Sequence, residues 1–151
     1  MKWLILILLL PLLLAGGALL LNRAPLWQAP GPLARLQLYL TTHVAETHPE
    51  HERSELRSLV LSMPLAVVHQ RVVEAMHRLA WQQISTEGNQ IQAVVVTPLW
   101  RFQDDVKVRL ESTQAGVRVN VRSQSRIGKG DFAANTRHIR DLYHQLEVDA
   151  E

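Results

Sequence analysis

The sequence predicts an α+β fold: an antiparallel sheet of about five strands with two helices on one face, in the order β-α-β-β-β-β-α, preceded by a transmembrane helix. Three observations carry this. Val106, Val108 and Leu110 alternate with charged residues, and Val117, Val119 and Val121 alternate with Arg118, Asn120 and Arg122 after a short glycine-containing turn. Such a pair is a hairpin with one apolar and one charged face. Stretches on both sides of the strand-like run repeat apolar residues with a helical period. Strands in succession, rather than in strict alternation with helices, select an antiparallel sheet with the helices on its apolar side. The third observation is an uncharged run of 19 residues, Trp3 to Leu21.

That run is long enough to cross a hydrocarbon core as a helix. Pro11 and the Gly16-Gly17 pair are tolerated in such helices. Ala15-Gly16-Gly17 also fits a signal-peptide cleavage site, but Leu19, Leu20 and Leu21 continue the apolar run beyond it. The expectation is therefore an anchor over residues 1–21 rather than a cleaved leader. Lys2 before the span nearly balances Arg23 and Arg35 after it, so flanking charge does not orient it. Residues 22–55 read as a linker. The stretch NRAPLWQAPGP, with three prolines, makes a stiff exit, and Trp27 suits a membrane interface. Leu33, Leu36 and Leu40 mark a short amphipathic helix, lying on the membrane or against the domain. THVAETHPEHERSE reads as a polar loop.

The folded domain is expected over residues 56–147. Leu56–Ser62 opens it as a strand. Pro64 suits the start of a helix whose Leu65, Val68, Val72, Ala75, Met76 and Leu79 share one face up to about Ala80. Trp81–Ser85 and Gln90–Thr97 read as strands joined by the turn Thr86-Glu87-Gly88-Asn89. The hairpin follows. Asp131 is placed to cap a last helix carrying Phe132, Ile139, Leu142, Tyr143 and Leu146 on one side.

With 151 residues there is room for one domain and an extra segment. The absence of cysteine excludes disulfides, thiolate metal sites, thiol catalysis and a lipoprotein signal. A net charge of +2 points to no nucleic-acid partner. The charge is uneven: Arg101 to Arg140 holds nine basic and four acidic residues, a net +5. Lys107, Arg109, Arg118 and Arg122 share one parity on the hairpin and are expected to be exposed as a basic face.

The segment RSQSRIGKGDFAANTR, residues 122–137, raises the question of function. It is no P-loop, because Gly128-Lys129-Gly130 lacks both the spacing and the Lys-Ser/Thr pair. Two other uses remain. Arg122, Arg126 and the last helix's N-terminus could hold an anion, although Asp131 already occupies that terminus. Alternatively, Asp104 and Asp105 pair with Arg122, Arg126 or Arg137 and pin the hairpin to the helix, with Arg126 as an internal strut. Adjacent strand residues point to opposite faces, so Asp104 and Asp105 do not form a natural acid–base dyad. His43, His48 and His51 share a loop, but Pro49 and their spacing match no standard zinc pattern, so no metal is expected. His69 and His77 fall away from the apolar stripe of their helix.

RFQDDVKVRL followed by VRVNVRSQSRIGKGDFAANTR resembles the bacterial and plastid family catalogued as domain of unknown function 1499. The residues that carry the resemblance are Phe102, Asp104, Asp105, Arg122, Ser123, Ser125, Arg126, Gly128, Asp131, Asn135 and Arg137. It covers about residues 41 to 147. The family usually has an Asn-Cys-Val-Ser-Ser segment upstream. Here Thr42, His43, Val44, Ala45 and Glu46 stand there, with His43 at the cysteine position, and Pro49, Glu50 and His51 follow. The resemblance implies no activity.

The expected protein is single-pass in a bacterial inner membrane with a periplasmic domain. The expected function is a non-catalytic module binding an anionic ligand, a lipid headgroup or a partner protein. The alternative is a hydrolase-like enzyme at Asp104, Asp105 and Arg126. Neither calls for a cofactor.

Overall fold

The computed structural model describes residues 2–97 and 101–148, with side chains from Leu9 onward. Helix α1 spans Lys2–Leu21 and α2 spans Pro32–Thr41. Strand β1 (Val44–Glu46), a short 3-10 turn (Ser54–Leu56) and β2 (Leu59–Leu61) precede helix α3 (Leu65–Arg78). Strands β3 (Gln82–Glu87), β4 (Gln90–Val96), β5 (Gln103–Thr113) and β6 (Gly116–Ser125) follow, and α4 (Ala134–Val148) closes the fold.

The sheet is antiparallel throughout, with neighbours in the order β3-β4-β5-β6. Strands β1 and β2 lie end to end along the outer edge of β6, opposite Arg122–Gln124 and Val117–Val119 respectively. Among the described residues the sheet thus has six strands rather than about five. The polar stretch expected to be a loop supplies one of them. Expected Leu56–Ser62 contributes only three ladder residues, because Leu56 ends the 3-10 turn and plugs the core. Trp81 precedes β3 and is buried.

The helices pack on the face the alternation predicts. Val106, Val108, Leu110, Val117, Val119 and Val121 meet Val68, Val72, Ala75 and Met76 of α3 and Ile139, Leu142 and Leu146 of α4 in one core. Burying such side chains contributes roughly 1.5–3 kcal/mol each. Helix α3 ends with Ala80 in the left-handed region, φ 56°; its N–H bonds His77 O, and Trp81 N–H bonds Met76 O. This is a Schellman stop with alanine where glycine is usual. Edge strand β3 carries a bulge between Gln82 and Ser85, with Gln83 at φ 51°, which twists an otherwise open edge.

Helix α2 lies against the domain. Arg35 and Tyr39 are buried, and Leu36 and Leu38 pack with Leu19 of α1 and with Phe132 and Ala133. Among the described residues no helix is long and apolar enough to cross a membrane. In α1 the described side chains begin at Leu9, so those of Trp3 to Leu8, the first part of the expected span, lie outside the described residues.

Candidate functional site

The pairing of β5 with β6 sets Asp104 opposite Ser125, and Val106 opposite Ser123. Parity turns Asp104, Ser123 and Ser125 toward the helices and Asp105 toward the other face. Helix α4 starts directly above, so Asn135 and His138 meet the inward polar residues. Ser123 Oγ donates to Asn135 Oδ1 at 2.6 Å, which uses its single proton. His138 Nδ1, 3.2 Å from Ser123 Oγ, is therefore the protonated ring nitrogen and donates. Asn135 Nδ2, with two protons, lies within hydrogen-bond distance of three acceptors: Ser125 Oγ at 2.9 Å, His43 O at 2.9 Å and Asp131 Oδ2 at 2.7 Å. The Ser125 hydroxyl then has a proton for Asp104. Asn135 thus joins β1's approach, β6 and the cap of α4.

Electrostatics in this pocket of the fold follow from burial. Asp104 is 1% exposed, and its Oδ2 has no hydrogen-bond partner among the described residues. Desolvation raises its pKa, against a lowering by Ser125. Desolvation lowers His138 to about 3, so the ring is neutral at neutral pH. The 3.8 Å separation of His138 Nδ1 from Asp104 Oδ2 is consequently no ion pair. Desolvation also raises Asp131, although its carboxylate accepts from Ala133 N (2.9 Å) and Asn135 N (3.2 Å). Asp131 caps as expected, but from three residues before α4, across a loop in which Phe132 and Ala133 take positive φ. Gly128 turns at φ 99°, and Gly130 lets the loop pass the end of α2, where an added Cβ would lie 2.4 Å from Leu40 O.

The outer sheet face is charged. Arg126 grips Asp105 with Nε at 3.1 and 3.0 Å and Nη2 at 2.7 Å, and also donates to Gln103. The Arg126 hydrogen bonds hold Asp105 below its usual range. Both side chains are well exposed, at 41% and 43%. Beside them is a hollow of about 330 Å³, bordered by Gln83, Ser85, Gln92 and Lys107. Lys107 and Arg109 are exposed; Arg118 and Arg122 are half-buried, Arg118 bonded to Glu111 (3.3 Å) and Arg122 to Gln124 (2.8 Å).

A third charged region forms where α1 meets α4. Arg137 Nη1 donates to Leu21 O (3.1 Å), Arg140 Nη1 to Arg23 O (2.9 Å), and Asn22 Nδ2 to Phe132 O (2.9 Å). Buried Arg35 pairs with Glu55 at 2.5 Å and donates to Tyr39 Oη and to Ala29 O.

A family model described as a protein of unknown function, DUF1499, matches residues 34–146. The chain belongs to the DUF1499 family. No curated protein matches it. Within this DUF1499 fold the nine expected site residues separate into three places. Asp104, Ser123, Ser125, Asp131 and Asn135 meet in the buried network. Asp105, Arg122 and Arg126 lie on the outer face. Arg137 bonds Asp141 at 3.1 Å and the end of α1. Among the described residues Asp104 therefore has no arginine partner; Arg126 reaches Asp105 instead, as an external rather than an internal strut. Both follow from strand parity, which sends the neighbours Asp104 and Asp105 to opposite faces.

His138, Arg35 and Glu55 were not anticipated. His138 lies three residues after Asn135, a helical spacing that brings both to one face, and that was a usable signal. Nothing local pairs Arg35 with Glu55, twenty positions apart. The cysteine position of DUF1499 contributes here through the backbone: His43 O accepts from Asn135 Nδ2 and from Ser125 N. Among the described residues no group of three metal-ligating side chains comes together. His48 and His51 stack at 4.5 Å, with His51 Nδ1 accepting from Arg53 N.

Proposed function

We propose that this DUF1499 protein is a membrane-anchored, non-catalytic module that presents a basic surface to an anionic ligand, with α1 as its single span and its domain on the periplasmic side of a bacterial inner membrane. The observation that carries the anchor is the exposed apolar surface of α1. Leu10, Leu12, Leu13, Leu20 and Leu21 are all more than half exposed on a helix of 20 residues. Water tolerates such a surface poorly and a bilayer core accepts it. The hydrolase alternative gains little. Asp104 is sealed from solvent and faces away from Asp105, while Asp105 is held ionised by Arg126 and is a poor general acid.

Cell fractionation tests the anchor. A full-length product resisting carbonate extraction is expected; a soluble product starting near Ala18 would refute the proposal. Alkaline phosphatase fused at the C-terminus should be active and a green-fluorescent fusion dark, and the reverse pattern places the domain in the cytoplasm.

A further inference from the structure

Helix α1 does not leave the domain through a free linker; its last turn is bonded to α4, and a groove opens at that junction. The groove has a volume of about 760 Å³ and runs along α4. Its cationic lining comes from four arginines, Arg23, Arg57, Arg137 and Arg140. Arg137 is compensated by Asp141. Among the described residues Arg23, Arg57 and Arg140 have no carboxylate partner. Of the groove's acids, Asp141 is matched by Arg137 and Glu55 by buried Arg35, which leaves Glu147 to oppose three uncompensated guanidinium groups. Leu20 and Leu21, next to Arg23 along the chain, are exposed apolar side chains at the foot of α1. Arginines at the point where a greasy helix ends match the chemistry of a bilayer's headgroup layer.

We propose that the groove between the foot of α1 and α4 binds the phosphodiester headgroup of an anionic membrane lipid. This rests on α1 being the membrane span. Guanidinium groups bind phosphate oxygens in forked pairs, and Arg140 and Arg57 each use one nitrogen on a backbone carbonyl, so further donors remain. Tyr143 and Ser58 line the same groove, but Tyr143 Oη is engaged with Val119 O. The partial negative charge at the end of α1 is covered by Arg137 and Arg140, which keeps it from repelling the ligand.

The test uses the full chain in a neutral detergent, titrated with dihexanoyl phosphatidylglycerol, dihexanoyl phosphatidylcholine or inorganic phosphate and followed by calorimetry. Phosphatidylglycerol should bind; phosphatidylcholine and phosphate should bind at least tenfold more weakly. Replacing both Arg23 and Arg140 with Gln should weaken phosphatidylglycerol binding by roughly thirtyfold, from the contribution expected of two basic residues. Because Arg140 also bonds the end of α1, Arg57→Gln serves as a second variant, expected to lose about fivefold with its melting temperature kept. The sheet-face variant Lys107→Gln/Arg109→Gln should bind like the parent. Equal binding of the two lipids, full binding of phosphate alone, or a loss confined to the sheet-face variant each overturns the groove assignment. Carbonate extraction of the same protein, scored separately, reports on the anchor, so a failed groove and a failed anchor are told apart.

Discussion

Asn135 is the residue on which the buried network turns. Asn135→Ala removes one hydrogen-bond partner from Ser123, Ser125, Asp131 and His43 O, each of which keeps another. A net hydrogen bond contributes about 0.5–1.5 kcal/mol, so a loss of about 2–4 kcal/mol is expected after partial rearrangement. Asp131→Ala should cost about 1 kcal/mol as a lost cap. Arg126→Ala should melt close to the parent, since its fork with Asp105 is solvent-exposed. Urea melts should rank them in that order, and a strongly destabilised Arg126→Ala would show that the outer face carries more than surface pairing.

The titrating groups give opposite slopes. His138 is held neutral, with a pKa of about 3 against 6.5. The unfolded chain binds its proton first, so stability falls by up to about 1.4 kcal/mol per unit as pH drops from roughly 6.5 toward 3. His138→Asn should flatten that limb of the profile. Asp104 and Asp131 are raised, so their contribution is fully present below the unfolded carboxylate range and is lost as pH rises through their folded values. Asp104→Asn should therefore be more stable than the parent at pH 7, with the gain vanishing in acid. Chemical melts across pH 3–8 would check both signs, and a destabilising Asp104→Asn at pH 7 would mean the carboxylate is stabilised by something other than Ser125.

At the scale of elements, two backbone positions are diagnostic. Gly130→Ala would press a Cβ against the Leu40 backbone, which cannot swing aside as a side chain can. A loss of about 1–3 kcal/mol is expected, with the loop before α4 detaching from α2. Ala80→Gly works the other way, because Ala80 pays for its positive φ at the end of α3. A gain of about 0.5–1 kcal/mol is expected. Thermal denaturation decides both, and a lower midpoint for Ala80→Gly would contradict the Schellman assignment.

For the whole molecule, the Arg35–Glu55 pair joins segments that lie outside the sheet. It is buried on both sides and fastens α2 and the exit segment to the turn before β2. Glu55 is held below its usual range by Arg35 despite its own desolvation. Removing one partner leaves an uncompensated buried charge, so Arg35→Ala should cost on the order of 3–5 kcal/mol. Adding Glu55→Gln should recover part of that loss. If the double variant is no better than the single, the pair is not what holds α2 in place.

Much of this was legible in the chain itself. Alternation in β5 and β6 and the stripe of α3 assigned the core, because a period of two or 3.6 is fixed by backbone geometry and solvent aversion alone. The parity that separates Asp104 from Asp105 was equally local. The apolar run of α1 needed no fold to be seen. Strand β1 was not legible: Val44–Glu46 is too short and polar to announce itself, and it exists because β6 has an edge to fill. Nor could the chain alone choose which face of its charged hairpin mattered, whether Arg126 lay inside or out, or that Arg137 and Arg140 would close over the end of α1. The last two are contacts between residues 116 and 117 positions apart. Local sequence determines each element's period and faces; only packing in three dimensions determines which faces meet, and a polar group's role depends on whether that meeting excludes water.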